Sequence, residues 1–535
     1  MAVMRADLAD LLHLCGDAID EKDLVEILDR IGAPLDGREG DTLLIEVTPN
    51  RPDYLAIEGI AYSILCFLGK RPKLTENVPS SKYRIKVDKV ESRPYIASLI
   101  AKGVAMGDAT IAGMMQFQEK IHETFGRKRK KIAIGMHDLD ALKGKNLRYY
   151  AGAGSERFVP LFETDEMNMR DVLVKTEKGK EFAHIIKKEY PIVADEEGVI
   201  SFPPILNSER TKVRESTTNI FVDITGTDRK SVENTASIIA MALEMRGGRI
   251  ESVEVDYDNE VVYTPIMKRK SQEFSTESVN LLLGTAFSKK EIADLLHKTG
   301  IDMVNERGRT VAYYPSWRVD IMGNSDIAED VAIAYGYNNL EPEKPELFTI
   351  GRDTQGPRKL MRELMLQMGY SELNTFVLTN ERDEFEMIKE DKEMPCVKIA
   401  NPLTVDNTIL RTSLIPSMLR AIALNKKYKL PLKLFEIGEV VHPEGKTDWH
   451  LCAAIYGEEA GLETISGMFR LLLDRFGMKY EASSAQAPSM IEGRCAQVKM
   501  KNGAALIGEI HPEVLRKYGL EYPVAIVEVG VIKGF

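Results

Sequence analysis

The sequence predicts a multidomain α+β protein. Its 535 residues are enough for about three to five domains of ordinary size. At 44% hydrophobic and 29% charged residues it has the make-up of a globular chain with several cores. Strand-like runs and amphipathic helical stretches are mixed in every part of the chain.

Composition also narrows the function classes. No apolar run approaches the roughly 20 residues that span a bilayer. The N-terminal MAVMRADLADLLHL carries acids where a signal peptide has none. A cytoplasmic protein with no membrane partner is expected. Cys15, Cys66, Cys396, Cys452 and Cys495 are isolated and odd in number, which suits neither a zinc site nor a disulfide framework. The net charge of −11 argues against non-specific nucleic-acid binding over the whole surface, though not against a local basic face. There is no P-loop, dinucleotide fingerprint or H-E-x-x-H motif.

Residues 1–84 read as a small α/β unit. An amphipathic helix at 7–14 and a second from Glu21 precede a strand at 42–47. That strand runs into Thr48-Pro49-Asn50-Arg51-Pro52-Asp53, where two prolines enforce an extended turn. Asp53 is expected to cap a helix that buries Leu55, Ile57, Ile60, Ile64 and Leu65. Arg51 and Asp53 read as a turn-bracing ion pair, and no site is placed here.

Residues 85–264 form the second unit, with strands at 95–104 and 131–134 and helices at 110–124 and 231–245. Five consecutive basic residues, Arg127 to Lys131, are a solvated loop or a phosphate contact. His137 has two readings, a general base or a hydrogen-bonded structural histidine, and the second is favoured because no Ser or Cys nucleophile motif accompanies it. The stretches 200–208 (ISFPPILNS) and 219–228 (NIFVDITGTD) each read as a strand entering a polar turn. On residue type alone Asp223 reads as a strand-ending turn residue.

Residues 265–343 are a third unit. Ser288-Lys289-Lys290-Glu291 is a capping box for a helix carrying Ile292, Leu295 and Leu296, and Gly300 ends it. A strand at 310–314 leads to Trp317 and then, past Gly323, to a helix capped by Asn324 or Ser325. Asp326, Glu329 and Asp330 share one face of that helix, and Asp320 lies just before it. Four carboxylates therefore converge near one helix N-terminus. Complementing the helix dipole is one reading, and a hard-cation site is the other. A charged, proline-broken linker follows at 341–346.

Residues 350–535 begin with a helix at 357–368. Strands follow at 375–378, 432–441, 451–456, 497–499, 504–510 and 524–529, with helices between them.

These motifs together resemble the β subunits of phenylalanyl-tRNA synthetases, in the shorter archaeal/eukaryotic form. TPNRPD…EGIA resembles the B1 domain, and PPILNS with FVDITGTD the B3/B4 editing domain. The acids around Trp317–Leu340 resemble a winged-helix-like B5 domain. NPLT, LRTSL and LFEIG resemble the antiparallel sheet of a class II synthetase catalytic domain. The resemblance implies an editing pocket of Ser201, Asp223 and Thr225, with Ile192 at a position usually held by leucine. It also implies Mg²⁺ at Asp320, Asp326, Glu329 and Asp330, shared with an α subunit.

A class II active site needs a C-terminal glycine-rich strand and a helix with an ATP-binding arginine. The chain instead ends Gly530-Val531-Ile532-Lys533-Gly534-Phe535. The last domain is therefore expected to be a degenerate copy, with Arg411 and Glu436 as fold or interface residues. By this resemblance the assembly is a heterotetramer of two α and two β chains. The α subunit uses ATP to attach phenylalanine to its tRNA, and this chain hydrolyses mischarged tyrosyl-tRNA. A freestanding editing hydrolase and a non-catalytic tRNA-binding scaffold are the rival readings.

Overall fold

The computed structural model describes residues 2–16, 19–342, 344, 349, 351, 356–501 and 503–530. Half of the expected linker at 341–346 and all of the ending at 531–535 lie outside them. The chain divides into two units, Met1–Lys344 and Pro345–Phe535.

The first unit opens with a three-stranded antiparallel sheet, ordered Ala2–Asp7, Thr42–Val47, Leu35–Glu39. Leu43, Ile45 and Val47 are buried at the period of 2 that sends alternate side chains to one face. The turn that follows is braced as expected. Arg51 donates to both Asp53 carboxylate oxygens, at 3.0 and 2.7 Å, and both residues are buried. Asp53 does not cap the next helix. It lies in a 3₁₀ turn, Pro52–Leu55, and the helix Ile57–Phe67 starts after Ala56 with no side-chain cap. With its carboxylate held by Arg51, Asp53 instead offers its backbone carbonyl, against which Gly59 packs so closely that a Cβ would lie 2.1 Å away.

The second part is a ten-stranded mixed sheet. Its path runs 206–207, 199–202, 190–194, 146–152, 80–87, 249–256, 95–102, 219–226, 132–138, with 261–264 beside 249–256. The buried strand Asn219–Gly226 lies between Tyr95–Lys102 and Ile132–Asp138, antiparallel to both. The two ends of the path meet. Asn207 at one end donates through Nδ2 to the Met136 carbonyl at the other, at 3.2 Å. The sheet is thus rolled so that its terminal strands face one another. The helix Arg229–Met245 packs on it, burying Val232, Ala236, Ile239, Met241 and Leu243 in a core shared with the N-terminal sheet.

The third part sets three helices, Thr276–Leu283, Lys289–Lys298 and Asn324–Tyr335, against an antiparallel sheet ordered 270–274, 309–314, 302–306. The Ser288–Glu291 capping box forms. Trp317 packs edge-on to Tyr62, with ring centres 5.3 Å apart, and so joins the N-terminal core.

The second unit is a seven-stranded sheet, ordered 371–372, 432–441, 447–456, 524–530, 503–510, 490–500, 480–484. Every pairing is antiparallel except that of Ser371–Glu372 with Leu432–Val441. Strand Thr447–Tyr456 gives Leu451, Ala453 and Ile455 to a core with the helix Leu462–Arg475, and Cys452, Ala454 and Tyr456 to one with the helix Ile415–Asn425. The strand expected at 375–378 is only the two-residue Leu378–Thr379, because Thr375 spends its N–H and hydroxyl on Glu436.

Candidate functional site

A cavity of about 470 Å³ opens where the ends of the rolled sheet meet. Ala133, Ile134, Met136, Ile205 and Ile220 make much of its wall apolar. Ser201, Asn207 and Asp223 supply polar groups to the same wall. Asp223 sits in mid-strand rather than at a turn, paired across to Ser98 on one side and Gly135 on the other. The Ser201 hydroxyl donates to Asn207 Oδ1 at 3.1 Å. The three residues come from opposite ends of the sheet, so the roll is what assembles them.

His137 stands behind Asp223. Its Nε2 is 2.7 Å from Asp223 Oδ1 and its Nδ1 is 2.8 Å from the Thr211 hydroxyl, with the ring fully buried. A neutral ring satisfies both contacts, with Nε2–H donating to the carboxylate and Nδ1 accepting from Thr211. His137 therefore fixes one oxygen of Asp223, a residue that also lines the cavity. Gly135 is required by close approach. A Cβ there would lie 2.4 Å from Asp223 Oδ1 and 2.9 Å from Asn207 Oδ1. Gly135→Ala is expected to displace both groups, costing about 1–3 kcal/mol of stability by overpacking. Thermal unfolding checks this, together with loss of any hydrolysis that depends on the cavity.

The other two expected pocket residues lie off the cavity wall. Thr225 is on the same strand face as Asp223, but its hydroxyl accepts from Arg93 Nε at 2.9 Å and its carbonyl from Arg93 Nη2 at 2.9 Å. Burial pushes the Arg93 guanidinium down to about 10. Ile192 is packed in a satellite core with Phe158, Met169, Val172 and Phe202. Neither is among the residues that line the cavity.

The basic run splits. Arg129 is buried, donating to the carbonyls of Pro204 and Ile205 at 3.1 and 2.7 Å and to Glu119 at 2.5 Å, so it clamps the Pro203–Ile205 segment of the cavity wall. Arg127, Lys128 and Lys130 are exposed and free to meet phosphate. Sequence reasoning passed over Asn207, Gly135 and Arg129. Asn207 lay inside a quoted motif, Gly135 is two residues before His137, and Arg129 was hidden in a run of like residues.

Residues 87–247 match the B3/4 domain, 272–337 the tRNA synthetase B5 domain, and 345–531 the phenylalanyl tRNA synthetase beta chain CLM domain. The chain is 35% identical to the phenylalanine–tRNA ligase beta subunit of Methanocaldococcus jannaschii, over 99% of its own length and all of the relative's. It is 37% identical to that of Archaeoglobus fulgidus over 95% of each chain. The chain belongs to the phenylalanine–tRNA ligase β-subunit family. An N-terminal fragment of the phenylalanyl-tRNA synthetase β subunit from Pyrococcus horikoshii superposes with a TM-score of 0.60 at 35% identity, covering 63% of this chain and all of the fragment.

In this member of the β-subunit family the four acids of the B5 domain converge, but not as four free ligands. Arg318 Nη2 donates to Asp320 Oδ2 at 2.6 Å and to Asp330 Oδ2 at 2.7 Å, with all three side chains buried. Asp326 Oδ2 accepts the N–H groups of Met322 and Gly323 at 2.7 and 2.8 Å, so it caps the helix in place of Asn324 or Ser325. Glu329 is exposed and has no partner among the described residues. Its carboxyl is pushed up by partial desolvation on the side facing the protein and then by Asp330, Asp320 and Asp326. Among the described residues no group of three or more His, Cys, Asp or Glu side chains could hold a metal ion. A four-carboxylate Mg²⁺ cage does not fit, because Arg318 already pairs with two of its members.

Burial would raise the Asp320 carboxyl, but the Arg318 guanidinium more than offsets this and holds it at about 2. A folded value below the ordinary 3.8 means stability that is present above about pH 4 and lost as pH falls through about 2. The contribution is about 2 kcal/mol. Asp320→Asn is expected to flatten stability against pH in that window, as read by chemical denaturation.

In the CLM domain, Arg411 and Glu436 form a 3.0 Å ion pair with side chains 1% and 0% exposed. Arg411 also donates to the Glu439 carbonyl at 2.8 Å and the Thr375 hydroxyl at 2.6 Å. The pair is interior framework, as expected.

Proposed function

We propose that this chain is the β subunit of a phenylalanine–tRNA ligase and that its B3/4 cavity hydrolyses tyrosyl-tRNA. The observation that carries this reading is the juxtaposition of Ser201, Asn207 and Asp223 on one largely apolar cavity wall. An apolar pocket made for phenylalanine rejects tyrosine by only about a hundredfold, because tyrosine merely adds a hydroxyl. A second pocket with polar groups at its wall reverses the preference, since phenylalanine leaves those groups unpaired. The wall residues orient the ester and a water, and Asp223 takes the water's proton. No serine or cysteine beside a base offers itself as nucleophile in the cavity.

Loading of phenylalanine is assigned to an α partner, in keeping with an Arg411–Glu436 pair that is buried and offers no nucleotide grip. An exposed apolar surface supports such a partner. Phe376, Leu403 and Val405 are 86%, 100% and 83% exposed beside the short pairing of 378–379 with 409–410. In the proposed heterotetramer of two α and two β chains, ATP is the substrate of the α subunit and tRNA is shared. Were Mg²⁺ bound here with the α subunit, Glu329 and Asp326 would be the acids free of Arg318 to hold it, supplying charge neutralisation at the helix end.

The test is tyrosine release from tyrosyl-tRNA and phenylalanine release from phenylalanyl-tRNA, by the chain with and without its α partner. The expected result is hydrolysis of the tyrosyl ester alone. Equal rates on both would overturn the editing role. Gel filtration that finds no complex with the α subunit would favour a freestanding hydrolase.

A further inference from the structure

Phe162 departs from two norms of a folded chain. Its aromatic side chain is 69% exposed, and its backbone is left-handed at φ +69°, which a bulky residue rarely adopts. Such conformations persist where the surroundings over-determine them, and they cluster at ligand clamps. Here the Phe162 N–H donates to a Glu209 carboxylate oxygen at 2.8 Å. The neighbouring Leu161 N–H donates to the carbonyl of Asn207 at 2.9 Å. The turn is therefore bonded to the segment that carries Asn207 into the cavity.

Glu209 also faces Lys212 at 3.4 Å, and the Lys212 ammonium lies 4.4 Å from the centre of the Phe162 ring. Phe162 and Lys212 both line the cavity that contains Ser201 and Asp223. Lys178 lines it too, and Arg127, Lys128 and Lys130 are exposed on the loop that leads to Arg129 on the same wall. Glu119 on the same wall pairs with Arg129 and Lys178, which leaves Arg127, Lys128 and Lys130 as the unpaired cations among the described residues near the cavity.

We propose that Phe162 and Lys212 form a platform at the cavity mouth on which the 3′-terminal nucleobase of an RNA stacks, with Lys212 beside the adjoining phosphate. The inference rests on the editing reading. An aminoacyl ester joins the amino acid to the last ribose, so an amino acid inside the cavity leaves the terminal nucleoside at its mouth. An exposed ring accepts the π-face of a base, and a cation nearby serves the backbone.

The experiment uses the full chain without its α partner, so that no loading site also receives the RNA end, and uncharged RNA microhelices ending in either adenosine or an abasic ribose. The parent is expected to bind the adenosine form about tenfold more tightly. Phe162→Ala should bind both forms equally, and Phe162→Trp should keep the preference. Hydrolysis of tyrosyl-tRNA is followed alongside, where Phe162→Ala should raise KM about tenfold with kcat held. A parent without the base preference, or a Phe162→Ala variant that retains it, overturns the platform. A parent that prefers the terminal base yet never hydrolyses tyrosyl-tRNA keeps the platform and overturns the editing reading.

Discussion

Asp223→Asn is expected to slow tyrosyl-tRNA hydrolysis by about a hundredfold or more, the usual worth of a positioned base, with phenylalanine loading by the assembled complex unchanged. The asparagine oxygen still accepts from His137 Nε2, 2.7 Å away in the parent, so the variant keeps the shape of the site and loses only its charge. Asp223→Ala removes both. It leaves the buried His137 N–H without an acceptor and should lose about 1–3 kcal/mol of stability besides. Rates of tyrosine release and unfolding curves for the two variants separate chemistry from folding. Hydrolysis at the parental rate by Asp223→Asn would remove the carboxylate from the mechanism.

The second large effect lies in the CLM domain. Arg411→Met strands the Glu436 carboxylate among Thr375, Gly438 and Leu414, fully buried and without its counter-ion. Breaking a buried pair from one side costs about 3–5 kcal/mol, whereas replacing both partners by apolar residues costs far less. The Arg411→Met, Glu436→Leu double variant should therefore recover most of the loss. The chain has two tryptophans, Trp317 in the first unit and Trp449 in the second. A Trp317→Phe background thus lets fluorescence report denaturant unfolding of the second unit alone. A single variant as stable as the parent would refute the framework role.

Much of this was legible in the chain, and the parts that were not have physical reasons. Strand Leu432–Val441, the Ser288–Glu291 capping box and the Arg51–Asp53 brace are set by residues close in sequence, so local pattern sufficed. The site is different in kind. Ser201 and Asp223 were found through their motifs, but Gly135 matters because of what approaches it from two other strands. Thr225 and Ile192 share strands or sheet with the cavity and still fall outside it, because a strand's period gives a face and not which pocket that face meets. The four acids shared a helix end as their spacing implied. Only the fold reveals that Arg318, twelve residues before Asp330, occupies two of them.

The amide that reaches from Asn207 to Met136 acts as a latch on a cylinder of strands. A reaction chamber made by such a latch belongs to no single segment, and no excised hairpin could carry it. Loosening a strand far along the circumference would open the seam and dilute the chamber with water. If the proposed hydrolysis takes place there, a variant with every wall residue intact is expected to lose it through changes that never touch the substrate.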